Sequence, residues 1–189
     1  MQYISHYLSP IGGILLAADE EGLAGLWFEG QKYFARCLEK EHEEREIPLL
    51  KRAKSWLDIY FSGREPDFQV PLHLIGTAFQ KQVWEILCSI PYGQTMTYGQ
   101  IAERLGAERG GSHMSAQAVG GAVGRNGISI IVPCHRVVGA DGSLTGYAGG
   151  IDRKKRLLAL EGADMSRLSA PGERAAKGSK GGNRPRAAR

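Results

Sequence analysis

The alternation of apolar and polar positions predicts a hairpin and one long helix in the first part of the chain, and a series of shorter helices after it. Residues 14–18 (Ile-Leu-Leu-Ala-Ala) and 23–28 (Leu-Ala-Gly-Leu-Trp-Phe) are apolar runs on either side of an Asp-Glu-Glu-Gly turn, so a β-hairpin is expected. The charged stretch 31–46 reads as helical at first and then as a solvated Glu/Lys/Arg run. From Pro48 onward, Leu49, Leu50, Ala53, Trp56, Leu57, Tyr60 and Phe61 recur at helical spacing, and Gly63 supplies a stop. Residues 64–74, with Pro66 and Pro71, read as extended and complete a small α+β unit with no visible chemistry.

A second section opens at Thr77, which with Gln80 three residues later forms a capping box. Phe79, Val83, Ile86, Leu87 and Ile90 line one face of the helix that follows, and Pro91 ends it. Thr97 and Gln100 make a second capping box, opening a helix expected to run through Leu105 and stop at Gly106. After a polar loop over 107–114, Ser115 caps a third helix reaching to about Arg125. Two short helices joined by a loop suggest a helix-turn-helix. The third helix is built from Ala116, Ala118, Gly120, Gly121, Ala122 and Gly124, and each interior glycine costs about 0.8–1 kcal/mol relative to alanine. Close helix packing or close approach to a nucleic-acid backbone would each account for keeping them.

Asn126-Gly127 signals a turn into an apolar, β-branched run, 128–132, which reads as a strand ended by Pro133 next to Cys134. Asp141-Gly142 marks another turn, and Asp152 is expected to cap a last helix that runs to Glu161 and ends at Gly162. The organisation expected is therefore a supporting unit over 1–75, an active unit over 76–163 and a basic, disordered tail over 164–189.

The candidate chemistry lies at Cys134-His135. A cysteine reacts as its thiolate, whose free pKa is near 8.5, so a nucleophile at neutral pH needs a base or a positive field. His135 and Arg136 are the neighbours placed to supply one, although an inert buried thiol beside a hydrogen-bonded core histidine is the plainer reading of such a pair taken alone. The other two cysteines, Cys37 and Cys88, fall in stretches read as helical and are taken as packing residues. Three cysteines with no Cys-x-x-Cys pair, and five histidines without metal-ligand spacing, argue against a disulfide framework and against a metal site.

The net charge of +4 is concentrated at the end of the chain, where residues 164–189 hold seven Lys/Arg against two acids. The remainder is close to neutral, so the overall charge says little about a binding face on the folded part. No apolar stretch approaches the length of a membrane span, and no charged region followed by an apolar run opens the chain. A cytoplasmic protein is expected.

The stretch Pro133-Cys134-His135-Arg136-Val137 resembles the signature of the O6-alkylguanine-DNA alkyltransferases, also called methylated-DNA–protein-cysteine methyltransferases. The resemblance continues through Ala118-Val119-Gly120-Gly121-Ala122, Asn126, the Gly142-to-Gly150 run and Leu157-Leu158-Ala159-Leu160-Glu161-Gly162, and covers roughly residues 77 to 162. It implies an α+β fold, with a small ribonuclease-H-like α/β domain followed by a mainly helical domain carrying a winged-helix/helix-turn-helix and the reactive cysteine. It also implies DNA repair by irreversible, stoichiometric transfer of an alkyl group from O6-alkylguanine, and possibly O4-alkylthymine, to Cys134, on a base flipped out of the duplex.

The resemblance assigns roles residue by residue. His135 would take the thiol proton through a water, Glu161 would orient the imidazole, Asn126 would hold the turn, and Tyr98 would donate to the base. Gln117, Ala118, Gly121, Arg125 and Gln80 would contact DNA through the minor groove, and Tyr147 and Ala148 would line the base pocket. No cofactor or metal is implied, and the protein would act as a monomer. Gln117 stands where many members of that family carry an intercalating arginine. Two other readings stay open on the sequence: a helix-turn-helix sensor that binds alkylated DNA without repairing it, and an unrelated cysteine hydrolase.

Overall fold

The computed structural model describes residues 1–111 and 113–170. The expected hairpin is present as β2 (Gly12–Ala18) and β3 (Leu23–Phe28), paired antiparallel around a turn in which Asp19 Oδ1 accepts from the N–H groups of Glu21 and Gly22. Two further strands complete the sheet. These are β1 (Gln2–Ser9), antiparallel to β2, and β4 (His42–Glu44), parallel to β1, giving the order β3-β2-β1-β4.

Helix α1 (Pro48–Phe61) lies on this sheet and turns Leu50, Ala53, Leu57 and Tyr60 inward, as its spacing predicts. The helix expected at the start of 31–46 does not form. The chain there runs through turns in which Tyr33 (φ 60°) and Ala35 (φ 51°) are left-handed. The reason is the fully buried Gln2 side chain, which donates to Cys37 O and accepts from Glu39 N and so pins the segment to the sheet edge. Cys37 is accordingly in a turn, not a helix.

In the second section both capping boxes form as predicted. Thr77 and Gln80 start α2 (Ala78–Cys88), and Thr97 and Gln100 start α3 (Tyr98–Glu108). Helix α3 does not stop at Gly106, which is buried within it, so the loop to the next helix is shorter than expected. Cys88, at the end of α2, is exposed and is not a packing residue. Ser115 caps α4 (Ala116–Val123), whose Val119, Ala122 and Val123 face the core. Trp84 of α2 donates its indole N–H to Ala122 O at 2.9 Å and so fixes α4 from behind.

Two short parallel strands, β5 (Met96–Thr97) and β6 (Val137–Val138), tie the start of α3 to the chain just after Cys134. The last helix, α5 (Ile151–Leu160), is capped at Gly150, and Asp152 sits in its first turn without a capping bond. Residues 164–170, expected to begin a disordered tail, are built into the fold. Met165–Arg167 form a 3₁₀ turn, and Ser169 exchanges backbone hydrogen bonds with Leu144 and Gly142. The rest of that tail lies outside the described residues.

Both sections share one apolar core. Leu57 and Tyr60 of α1 join Val83 and Trp84 of α2, Val119 of α4, and Ile130, Val132 and Cys134. The seam between the sections is also hydrogen-bonded, with Leu26 N donating to Gly127 O and Ser129 N donating to Leu26 O, both at 2.9 Å. The edge of the first sheet therefore holds the segment that leads to Cys134.

Candidate active site

The run 128–132, expected as a strand, makes a single bridge, Ile128 to Leu26, and then turns. Asn126 is the cause. It is buried, its Oδ1 accepts from Ile128 N, and its Nδ2 donates to Ile128 O at 3.1 Å, Val132 O at 2.8 Å and Cys134 Sγ at 3.1 Å. One amide thus satisfies groups that a neighbouring strand would otherwise satisfy, and Val132 N closes the turn onto Ile128 O. Within it Ile130 is held at φ 68°, a conformation costing a β-branched residue of the order of 1–3 kcal/mol. The chain leaves this turn through Pro133, and Cys134 begins a 3₁₀ turn, Cys134–Arg136, instead of ending a strand.

That turn sends three consecutive side chains inward. Cys134 is 4% exposed, His135 0% and Arg136 8%. His135 Nε2 donates to Glu161 Oε1 at 2.6 Å, which leaves the lone pair on Nδ1, a buried atom without a hydrogen-bond partner. Glu161 sits where α5 ends and its carboxylate collects donors from three directions. Arg136 Nε reaches Oε2 at 2.9 Å and Nη2 reaches Oε1 at 3.1 Å, Tyr60 Oη donates to Oε1 at 2.7 Å, and Gly93 N donates to Oε2 at 3.1 Å. Arg136 also donates to Ile90 O, so its guanidinium serves the carboxylate and not the thiol, as the sequence had suggested it would.

The electrostatics follow from burial. Burial pushes the Cys134 thiol above its ordinary value, opposed by the Asn126 hydrogen bond and the charge of Lys154. Burial also lowers the proton affinity of His135, against the pull of Glu161. For Glu161 burial acts upward, but the hydrogen bonds from His135 and Arg136, the Arg136 charge and, at the low pH where the carboxyl titrates, the charge of protonated His135 overcome it and hold the carboxyl at about 2. At rest the arrangement is a protonated thiol, a neutral imidazole and an ionised carboxylate. The set suits a thiol activated only at the moment of attack, with the imidazole as acceptor of its proton.

Two members of this site carry no sequence signal. Tyr60 reads as a core position of α1, and its hydroxyl reaches the carboxylate from the other section of the chain. Lys154 is completely buried in α5, donates to Val137 O and Thr145 O, and has its pKa drawn by burial down to about 8. A charged residue on a helix ordinarily reads as solvated.

The remaining candidates are placed around a groove of about 450 Å³ lined by Gly120, Gly121, Gly124, Gly146, Tyr147 and Ala148. The buried Tyr147 ring lies edge-on to His135, with centroids 6.4 Å apart. Tyr98, at the start of α3, donates its hydroxyl to Thr145 O at 3.0 Å. Gly146 has φ 74°, and a Cβ there would come within 2.7 Å of the Tyr98 oxygen, so this wall requires glycine. Gln117 and Ala118 are exposed on the outer face of α4, and the exposed Arg125 donates to Gly121 O. Gln80 is not brought to the groove: its Oε1 is committed to the Thr77 capping box.

The family model described as the 6-O-methylguanine DNA methyltransferase ribonuclease-like domain matches residues 2–74, and the one for the DNA binding domain matches residues 78–163. The chain belongs to the 6-O-methylguanine DNA methyltransferase family. A relative from Methanosarcina acetivorans named methylated-DNA–protein-cysteine methyltransferase is 47% identical over 161 residues, covering 85% of this chain and 99% of the relative. Among solved structures, the O6-methylguanine methyltransferase of Mycobacterium tuberculosis matches with a TM-score of 0.72 and 41% identity, covering 94% of this chain and 99% of that one. The same organism's protein solved in complex with DNA matches with a TM-score of 0.71 and 42% identity, covering 88% and 94% of the two chains. The α+β architecture read from the sequence is the one the family shares.

Proposed function

We propose that Cys134 is the residue that receives the alkyl group in a DNA-repair reaction on O6-alkylguanine. Family membership makes the chain a DNA-repair methyltransferase that transfers alkyl groups to cysteine. The observation that supports Cys134 is its juxtaposition with a polarised imidazole: Asn126 donates to Sγ while the neighbouring His135 is held by Glu161 with its Nδ1 lone pair unpartnered.

In the proposed sequence the thiol proton passes through a water to His135, and the sulfur attacks the alkyl carbon. The carbon–oxygen bond breaks, its electron pair stays on the guanine oxygen, and the base leaves with a proton restored. The product is a thioether, which has no good leaving group, so each molecule acts once. Tyr98 is the candidate donor to the departing oxygen, and to act it must exchange its bond to Thr145 O for one to the base. No metal or cofactor enters this scheme.

The alkyl group is inaccessible in a duplex, so the nucleotide must be flipped, at a cost of about a few kcal/mol. Helix α4 presents almost no side-chain bulk outward, which suits a narrow minor groove, and the flipped base would enter between Gly146, Tyr147 and Ala148. The reading extends to a monomer working in the cytoplasm. Among the described residues, no helix is long and apolar enough to cross a membrane.

The experiment is intact mass with peptide mapping after incubation with a duplex bearing one O6-methylguanine. A gain of one methylene on Cys134 that stops at one equivalent is expected; a methylated peptide other than that of Cys134 would refute the assignment. Gln117 can bond the base left unpaired by flipping. Gln117→Ala is therefore expected to slow repair of the duplex by about five- to tenfold, the effect of losing roughly 1 kcal/mol of hydrogen bonding, while reaction with free O6-benzylguanine changes less than about twofold. Equal slowing of both reactions would contradict this role.

A further inference from the structure

The loop following Gln31 is the part of the supporting section that reaches the groove, and its construction is unusual. Gln31 is buried, accepting from Phe28 N at 2.8 Å and from Ser129 Oγ at 3.3 Å. Lys32 N donates to Ala148 O at 3.1 Å, so the loop backbone is bonded to the wall of the groove. Beyond this anchor Lys32, Tyr33, Phe34 and Arg36 are all exposed, and Phe34 lies edge-on to Trp27.

Tyr33 holds φ 60° and Ala35 φ 51°, in a segment where glycine at either position would relieve the strain. The exposed Tyr33 ring gathers three cations from both sections of the chain. Lys32 Nζ lies 5.0 Å from its centroid, and the guanidinium carbons of Arg36 and Arg125 each lie 5.7 Å away. No carboxylate pairs with any of the three among the described residues. A strained backbone thus supports an aromatic platform that concentrates positive charge at the rim of the groove.

We propose that the loop is a second DNA contact, outside the helix-turn-helix, with Lys32 and Arg36 beside Arg125 on successive backbone phosphates of the strand that delivers the flipped nucleotide. The proposal rests on the reading of the groove as the site of the flipped base. Charge supports it, because like charges collected in one place with no acid beside them repel unless an anion joins them. Position supports it as well, because the phosphates flanking a base inserted beside Ala148 must pass the rim. The contact gives affinity and register and reads no sequence.

The test pairs two variants with two substrates. Lys32→Ala/Arg36→Ala changes only exposed side chains, and Tyr33→Gly removes the platform while suiting the local backbone. Binding to a duplex is measured across a salt series, and reaction with free O6-benzylguanine is measured in parallel. The double variant is expected to bind duplex roughly tenfold more weakly at low salt, with a shallower salt dependence, since each lost phosphate contact removes about 0.9 from the slope. Tyr33→Gly is expected to weaken duplex binding in the same direction without loss of thermal stability. For both variants the free-base rate stays within about twofold of the parent.

An unchanged salt slope in the double variant would overturn the loop contact and leave the assignment of Cys134 intact. Weakening of duplex and free-base reactions by the same factor would overturn it too, since the loop would then be shaping the groove. Failure of the parent protein to be methylated at Cys134 by a duplex bearing O6-methylguanine would overturn both the contact and the function on which it rests.

Discussion

Cys134→Ser is expected to reduce alkyl uptake from one equivalent to none while duplex binding stays within about twofold of the parent, because it removes the nucleophile and leaves the groove surfaces unchanged. Serine fits the space, and its oxygen would take the hydrogen bond that Asn126 now donates to sulfur. What it lacks is acidity and softness. Burial already holds the thiol above its usual value, and it depresses the proton affinity of the imidazole meant to receive the proton. A hydroxyl, weaker as an acid than a thiol, has no acceptor of sufficient strength here. Intact mass after prolonged incubation with the O6-methylguanine duplex, alongside a mobility-shift titration, checks both halves. Any mass gain in the variant would mean that the half-buried Cys37, whose thiol donates to Ile75 O, or the exposed Cys88 can accept the group. Loss of reaction with binding retained also separates repair from sensing, since a sensor would be indifferent to the substitution.

The parts of this site that could be read in the sequence are those governed by local rules. Thr77 with Gln80 and Thr97 with Gln100 specify helix starts because cap and reciprocal bond lie within one turn. The Cys134-His135 pair and Asn126 are visible for the same reason. The strand expected over 128–132 failed because propensity is a weak constraint beside a buried amide: the Asn126 side chain captures Ile128 O and Val132 O and folds the run into a turn. The helix expected after residue 31 failed similarly, with Gln2 holding Cys37 and Glu39 from a distant strand. Strand β1 was missed because it carries Gln2, Ser5, His6 and Ser9, and three of these four polar residues are buried. Tyr60 and Lys154 stayed hidden because their roles depend on partners brought up only by packing of the two sections. Local chemistry thus pointed to the candidate residues, and tertiary contacts decide how they are held.

Glu161 shows the cost of such holding, and Glu161→Gln is the substitution expected to separate charge from shape. In the parent protein the carboxylate, its side chain fully out of solvent, neutralises Arg136, whose side chain is 10% exposed, and orients His135. Removing one partner of a buried pair leaves the other uncompensated, a loss of about 3–5 kcal/mol. The amide keeps the volume but cannot accept from Arg136, Tyr60, His135 and Gly93 at once, since it has one acceptor oxygen in place of two.

The pH dependence gives an independent reading. Glu161 is held at about 2, below the ordinary carboxylate value of 4.5, so its stabilisation is fully present above about 4.5 and is lost as pH falls through about 2. The difference is worth roughly 3 kcal/mol. Urea midpoints measured at pH 7 and at pH 3 should therefore fall steeply for the parent protein, and much less for Glu161→Gln, which starts lower. At pH 7.5 the variant should also react more slowly with free O6-benzylguanine, because the imidazole proposed to take the thiol proton has lost the anion that stabilises its charged form. Parallel stability curves against pH would show that Glu161 does not carry the charge assigned to it. An unchanged reaction rate would show that the carboxylate supports the fold without supporting the chemistry.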